Sequence, residues 1–203
     1  MTILLGGEMK KMKTKITNLF TAEEINIIRD AISELSESQF EVHETGRKQT
    51  NQARLPGEFS DKLVSLVRDI TGVTTPLRML EPPQYVEYGS EYGTPWLQPH
   101  VDGDFNDFII DYQLEANTEW PLGADTEVYP LEDNEGLLFN PNMTIHWRPR
   151  KTFKPGEYVR MLFFRFHNPE NYSDYSHLPH NPNDPMFKDV HEFRDSLTPN
   201  EEI

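Results

Sequence analysis

Cysteine is absent from this chain, and positive charge and long apolar runs are scarce. Without cysteine the protein can form no disulfide, thiolate metal site or cysteine nucleophile. Its 19 lysines and arginines are outnumbered by 34 acidic residues, for a net charge of −15, which disfavours nucleic acids because phosphate binding needs a basic surface. No apolar stretch approaches the roughly 18 residues of a membrane helix, and the N-terminal lysines follow a short apolar run, the reverse of a signal peptide. We therefore expect a soluble cytoplasmic protein with no nucleic-acid or membrane partner, and its oligomeric state stays open.

The 203 residues are predicted to form one domain, 1–203, because this length suffices for a single sizeable core. Apolar residues recur with helical spacing over 21–37, which opens with a threonine and a glutamate in capping-box positions, and again over 60–71. We expect these helices to form an N-terminal support over about 16–75.

From about residue 77 onward, short apolar or aromatic runs alternate with clusters of Pro, Gly, Asn and Asp. Such spacing predicts a β-sandwich or barrel rather than alternating strands and helices. The expected fold class is therefore mainly β with N-terminal helices (α+β), with the β core over about 77–166. Residues 167–203 are rich in proline, histidine and acids, which predicts an extended tail or covering flap.

The segment QPHVDGDFND, residues 98–107, contains His100 followed by Asp102, Asp104 and Asp107. A glycine among carboxylates resembles a calcium loop, but histidine is a poor calcium ligand. On an extended segment, residues i and i+2 project to the same side, so His100 and Asp102 could bind one metal ion. The pair is weak evidence alone, and the alternative is a solvated acidic loop.

Later in the sequence, His146 and Arg160 could complete a site with His100 and Asp102. His146 lies 44 residues past Asp102, as a further metal ligand or as an ordinary core histidine. Arg160 lies in the run YVRMLFFRF, which has two largely apolar faces, one with Arg160 and the other with Arg165. A buried guanidinium needs a partner, either a structural carboxylate or a bound small acid. Two histidines and one carboxylate on one side of an iron ion form the facial triad of non-haem iron oxygenases.

In five segments between about Phe20 and Phe166, the sequence resembles the Fe(II)- and 2-oxoglutarate-dependent oxygenases, and within them the prolyl-hydroxylase-like group. In order, the segments are NLFTAEEINIIRDAI, QYVEYGSEYGTPWLQPHVD, DFIIDYQL, NEGLLFNPNMTIHW and GEYVRMLFFRF. The resemblance implies a double-stranded β-helix core of the jelly-roll or cupin-like type in a single oxygenase domain. It also implies that decarboxylation of 2-oxoglutarate by O2 is coupled to hydroxylation of a C–H bond, with succinate and CO2 as coproducts and ascorbate as a supporting reductant.

Matched position by position, the resemblance implies that His100, Asp102 and His146 bind the iron. It implies that Arg160 binds the distal carboxylate of 2-oxoglutarate. Tyr88 matches a family tyrosine that lines the cosubstrate or iron pocket, with core packing as its alternative. The retained carboxylate of Asp102 favours hydroxylation, because family halogenases lack it.

The sequence departs from the family near Arg160. Leu162 stands where the family often has serine or threonine, and the segment before the arginine is long. Three basic residues of that segment are rival anion binders, although a loop setting favours solvated surface charge for them: Arg148, Arg150 and Lys151.

The substrate is left open between a peptidyl residue, prolyl included, and a free amino acid or other small molecule. Candidates for contacts with it are Arg54, Trp96 and Arg148, and the alternative is that they lie on exposed polar loops. A basic cluster over 47–54 could attract the carboxylate of an amino acid or peptide. A noncatalytic β-sandwich sensor for a carboxylate or metal is the alternative function. A cupin-type iron enzyme that does not use 2-oxoglutarate is disfavoured, because it needs no buried arginine such as Arg160.

Overall fold

The computed structural model describes residues 12–102 and 106–169. These residues contain helices α1 (Ala22–Ser33) and α2 (Gly57–Thr71) and two short 3-10 turns, Glu37–Gln39 and Ser90–Tyr92. In chain order, the strands are β1 (Lys13–Thr17), β2 (Glu41–His43), β3 (Arg47–Thr50), β4 (Arg78–Met79), β5 (Gln84–Gly89), β6 (Leu97–His100), β7 (Phe108–Ala116), β8 (Leu122–Ala124), β9 (Glu127–Tyr129), β10 (Glu135–Phe139), β11 (His146–Arg148) and β12 (Tyr158–His167).

The two helices form where the sequence predicts, with differences at their ends. The Thr21 hydroxyl accepts a hydrogen bond from the Glu24 amide at 3.2 Å, and the Glu24 carboxylate accepts one from the Thr21 amide at 2.7 Å, so α1 opens with a capping box. It ends at Ser33, four residues before the predicted end at residue 37, because the chain turns into a separate 3-10 turn. Helix α2 stops before Gly72, whose φ of 70° places it in the left-handed region.

The described strands pair antiparallel in two sheets. The large sheet has the order β1-β10-β7-β12-β5-β3-β2, with β4 paired to β12, and the small sheet has the order β6-β11-β8-β9. Two antiparallel sheets with N-terminal helices confirm the predicted fold class. The N-terminal region is more than a helical support, however, because β1 extends the large sheet at one end and β2 and β3 extend it at the other.

Strand β12 separates two apolar regions, as its sequence predicts. Leu162, Phe164 and Phe166 pack on one side in a core shared with the helices, which contribute Ile28 and Leu63 among others. The side chains of the alternate residues face the small sheet, where Val159 and Met161 pack with Trp120 and Phe153. Polar side chains between the sheets therefore come from alternate positions of the central strands.

The predicted tail over 167–203 lies almost wholly outside the described residues, because β12 ends at His167 and the description ends at residue 169. Within the described ranges, no helix is long and apolar enough to cross a membrane.

Candidate metal-binding site

Three predicted ligands, His100, Asp102 and His146, come together in the structure. Each offers one ligand atom, and these atoms all lie within 4.8 Å of one another. One carboxylate oxygen of Asp102 lies 3.5 Å from Nε2 of His100 and 3.4 Å from Nε2 of His146. Two imidazole nitrogens and one carboxylate oxygen therefore converge on a single point.

Backbone pairing brings the ligands together from distant parts of the chain. His100 ends β6 and His146 begins β11, and the two are direct partners in the small sheet. The Asp102 amide donates to the Pro141 carbonyl at 2.9 Å, which joins the loop after β6 to the loop before β11. The positions of the three ligands thus follow from the sheet and from this loop contact.

The tautomers of both histidines are set by backbone carbonyls. Nδ1 of His100 lies 2.7 Å from the Gln98 carbonyl, and Nδ1 of His146 lies 3.1 Å from the Thr144 carbonyl. Because a carbonyl only accepts, each Nδ1 carries the hydrogen and each neutral ring presents the lone pair of Nε2. Such carbonyl partners are the usual orienting contacts of metal-ligating histidines.

The electrostatics of the cluster favour an ionised carboxylate beside the histidines. Burial acts to raise the pKa of Asp102, but hydrogen bonds from His100 and His146 hold this pKa well below its usual range. Burial likewise acts to lower the pKa of His146, yet its hydrogen bond and charge interaction with Asp102 leave that pKa raised. A cation at this point would replace the proton that the histidines share with the carboxylate.

The cluster borders a cavity of about 240 Å³ between the two sheets. The cavity is polar for an interior space, and its polar lining includes residues that lie well apart in the sequence. Besides the three ligands, these are Arg47, Gln84, Tyr88, Asn106, Asp111, Arg148 and Arg165.

Arg148 is buried in this cavity, with 1% of its surface exposed. Its guanidinium donates to the Trp120 carbonyl at 2.6 Å and lies 3.4 Å from both oxygens of the Asp111 carboxylate. The expectation of solvated surface charge at Arg148 is therefore wrong, because β11 carries this side chain between the sheets. Burial raises the pKa of Asp111, against the opposing charge of Arg148.

Arg47 and Arg165 line the cavity and have unused donors. The Nε atom of each is buried and has no hydrogen-bond partner within residues 12–102 and 106–169. Tyr88 also lines the cavity, as the resemblance implies, and is buried. Burial raises the pKa of Tyr88 and the charges of Arg47 and Arg148 act against it, so the neutral hydroxyl lies near two cations.

Arg160 lies outside the cavity that adjoins the three predicted metal ligands. It is on the side of β12 opposite Arg165 and borders a different cleft, with 35% of its side chain exposed. Its guanidinium pairs with Glu87 at 3.0 Å and with Glu115 at 2.5 Å. The structure therefore does not bring Arg160 to the metal ligands, and its position corresponds to the structural salt bridge that the sequence left as the alternative.

The remaining basic and aromatic candidates are also outside this cavity. Arg54 borders a separate cleft. Trp96 is 40% exposed, with the Arg150 guanidinium 4.8 Å from its ring centre. Lys151 donates to the Thr118 hydroxyl and to a neighbouring carbonyl.

Sequence reasoning gave no role to Asp111 or Arg165. A signal for Arg165 was present, because strand alternation places it on the side of β12 opposite Arg160. No comparable local signal marks Asp111, which follows two isoleucines in a buried strand.

No protein-family profile matches this sequence, and no curated protein sequence matches it at a significant level. Several solved structures share its fold. An oxidoreductase of the 2OG-Fe(II) oxygenase family from Burkholderia pseudomallei is 14% identical, with a TM-score of 0.55, over 77% of this chain and 85% of that one. HygX from Streptomyces hygroscopicus, solved with nickel and 2-oxoglutarate bound, is 15% identical, with a TM-score of 0.54, over 77% and 83%.

A prolyl hydroxylase from Trichoplax adhaerens, in complex with a peptide fragment of the hypoxia inducible factor oxygen degradation domain, is 12% identical. Its TM-score is 0.53 over 79% of this chain and 85% of that one. At these identities the likeness establishes the fold, which is that of the 2-oxoglutarate and Fe(II) oxygenases, as the resemblance in sequence implies.

Proposed function

We propose that this protein is an Fe(II)- and 2-oxoglutarate-dependent oxygenase that hydroxylates a C–H bond of a peptidyl residue or a small molecule. The observation that carries the proposal is the convergence of His100, Asp102 and His146 on one point at an arginine-lined cavity. Two histidines and one carboxylate are the donor set that non-haem Fe(II) oxygenases use.

The donors present fit Fe(II). Both Nε2 atoms are lone-pair donors, and the Asp102 carboxylate is ionised, so no ligand needs to change its tautomer to bind the ion. Bound iron would supply activation of O2 with 2-oxoglutarate as reductant. The task of the protein is to orient these groups and to limit the access of water, and His146 is itself buried.

The charge of the cavity fits a dianionic cosubstrate. Among the described residues, three arginines and two aspartates line it, which gives 3 − 2 = +1 in a chain of net charge −15. A divalent ion would raise this local charge, and 2-oxoglutarate carries two negative charges to offset it.

We assign the distal carboxylate of 2-oxoglutarate to Arg47 and the hydroxyl of Tyr88. Both line the cavity, and Nε of Arg47 is buried without a partner in the part of the chain that the structure describes. Arg148 is the weaker candidate, because the Trp120 carbonyl and Asp111 already accept from its guanidinium. A guanidinium with free donors gains more from a carboxylate than one whose donors are satisfied.

The experiment that tests this function is anaerobic titration of the protein with Fe(II) and then 2-oxoglutarate, followed by admission of O2. We expect a metal-to-ligand absorption band in the ternary complex and succinate formation after O2 is added. His146→Ala should abolish both, whereas His43→Ala, which removes a histidine of β2 outside the site, should change neither. If the wild-type protein shows no band and no stabilisation by Fe(II), the oxygenase proposal is wrong. A band without succinate under any condition would instead support a noncatalytic binding protein.

A further inference from the structure

We propose that Arg165 binds a carboxylate of the molecule that is oxidised, so that the substrate is a small carboxylic acid of the size of an amino acid or its N-acyl derivative. This inference rests on the proposed function and adds a substrate class and a specificity-determining residue to it. It begins from an arginine that borders the cavity and whose buried Nε has no hydrogen-bond partner among the described residues.

Arg165 faces the cavity because of strand alternation. On β12, Val159, Met161 and Phe163 share its side, and Phe163 also lines the cavity. The buried Nε of Arg165 has no hydrogen-bond partner, and no ion pair of this side chain is found among the described residues. A partly buried guanidinium without a partner is costly in an apo protein and favours binding of an anion.

The register of the large sheet places Arg165 at the level of the metal ligands. Arg165 is opposite Ile109 of β7, and Ile109 is opposite Phe139 of β10. The ring of Phe139 lies 5.1 Å from the ring of His146. Arg165 is therefore on the large-sheet wall at the same end of the cavity as the metal ligands on the small sheet.

The group assigned to the cosubstrate lies toward the other end of the same strand. Tyr88 is opposite Val159, six residues before Arg165. At ~3.3 Å per residue, this separation corresponds to about 20 Å along β12. This distance separates the two backbones. The Tyr88 hydroxyl itself lies near Arg148 and Asp111, and Asp111 lies near His146 and Asp102, so the hydroxyl is closer to the metal ligands than its strand position. A five-carbon diacid between this hydroxyl and the metal does not need Arg165, so this guanidinium is left for a second ligand.

Among the described residues that line the cavity, no carboxylate is free to pair with Arg165. Asp102 is engaged by the two histidines, and Asp111 by Arg148. Gln84 and Asn106 add uncharged polar groups to the lining. A carboxylate offers the planar pair of acceptors that a guanidinium fork binds bidentately. Its binding here would hold the neighbouring carbon atoms of the substrate close to the metal, where the reaction requires them.

The test measures binding without turnover. Protein loaded anaerobically with Fe(II) and 2-oxoglutarate is titrated with the common L-amino acids, their N-acetyl derivatives and the carboxamides of both sets. We expect at least one free acid to bind about 10-fold or more tightly than its own amide, as the loss of a charged bidentate contact predicts. In Arg165→Gln this preference should disappear, while the affinity for 2-oxoglutarate stays within about twofold, because Arg165 does not contact the cosubstrate.

Arg160→Gln is the matched control, because it removes an arginine from the opposite side of the same strand and should keep the acid preference. If Arg165→Gln does not fold, Arg165→Lys retains the charge without the fork and should show a reduced preference. The inference is overturned if no free acid in the panel binds better than its amide, or if Arg165→Gln retains the preference. Loss of 2-oxoglutarate affinity in Arg165→Gln would also overturn it, because Arg165 would then belong to the cosubstrate site. Failure of the proposed function is distinct, since wild-type protein would then bind no Fe(II) or 2-oxoglutarate.

Discussion

The substitution Arg148→Met should strongly destabilise the protein, because it leaves the Asp111 carboxylate buried without its cation. Arg148 is 1% exposed and Asp111 is 5% exposed, so cavity water can replace the lost partner only in part. Removing one member of a buried ion pair costs about 3–5 kcal/mol. At ~2–4 °C per kcal/mol for a domain of this size, the melting temperature should fall by roughly 6–20 °C.

The free energy of unfolding that Arg148→Met loses should depend on pH in a defined direction. Burial already raises the pKa of Asp111 in the folded protein, and loss of the opposing charge of Arg148 raises it further. When the pKa of a carboxyl group is higher in the folded than in the unfolded protein, ionisation of that group destabilises the fold. The free energy of unfolding then falls as pH rises from the unfolded-state pKa, about 4, toward the folded-state pKa. The deficit of Arg148→Met should therefore be smallest in acid and grow toward neutral pH.

Urea unfolding of metal-free protein at several pH values measures this deficit. The double variant Asp111→Asn/Arg148→Met is the control, because it removes both charges and should recover a large part of the lost free energy. The reasoning is refuted if the double variant is as unstable as Arg148→Met, or if the deficit does not change with pH.

Three further substitutions test other parts of the structure. Arg47→Gln should weaken 2-oxoglutarate about 10- to 100-fold, as loss of a charged hydrogen bond predicts, with near-normal Fe(II) binding; anaerobic titration would contradict this if the affinity were unchanged. Arg160→Gln should leave 2-oxoglutarate affinity unchanged and lower the free energy of unfolding by about 1 kcal/mol, the upper range for an exposed ion pair, which urea unfolding measures. Gly123→Ala would place a Cβ 2.1 Å from the Trp147 ring and should lower the free energy of unfolding by about 1–3 kcal/mol, measured by urea unfolding. It should also weaken Fe(II)-dependent thermal stabilisation, because the indole adjoins His146 in sequence. Gly57→Ala is its control, because a Cβ there meets no described atom within 4 Å outside the local backbone.

The convergence of His100, Asp102 and His146 was predictable in part because the pattern of the first two is local. His100 and Asp102 are two residues apart on an extended segment, so their spacing alone predicts a shared direction. His146 required the order of the strands, which the alternation of apolar runs and turn residues indicates. The sheet register that pairs His146 with His100 then follows from the antiparallel fold.

The arginines that line the cavity were harder to predict, because a strand that is apolar on both sides does not reveal which side faces the cavity. Arg160 and Arg165 are equivalent in that respect, and only the packing of the helices on one side distinguishes them. Burial of Arg148 depends on Asp111, 37 residues away. Arg47 enters the cavity because β3 joins the large sheet, in a region where the sequence indicates mainly helices.

The contact between the Asp102 amide and the Pro141 carbonyl has a consequence for the protein without metal. Together with the pairing of β6 and β11, it holds the ligands in place through backbone contacts. The main apolar core lies on the other side of the large sheet, between β12 and the helices. Small metal domains unfold under chelators because metal binding supplies their folding free energy. Here chelation should instead return a folded protein with a vacant, preorganised site, so metal loss and reloading can be reversible without refolding.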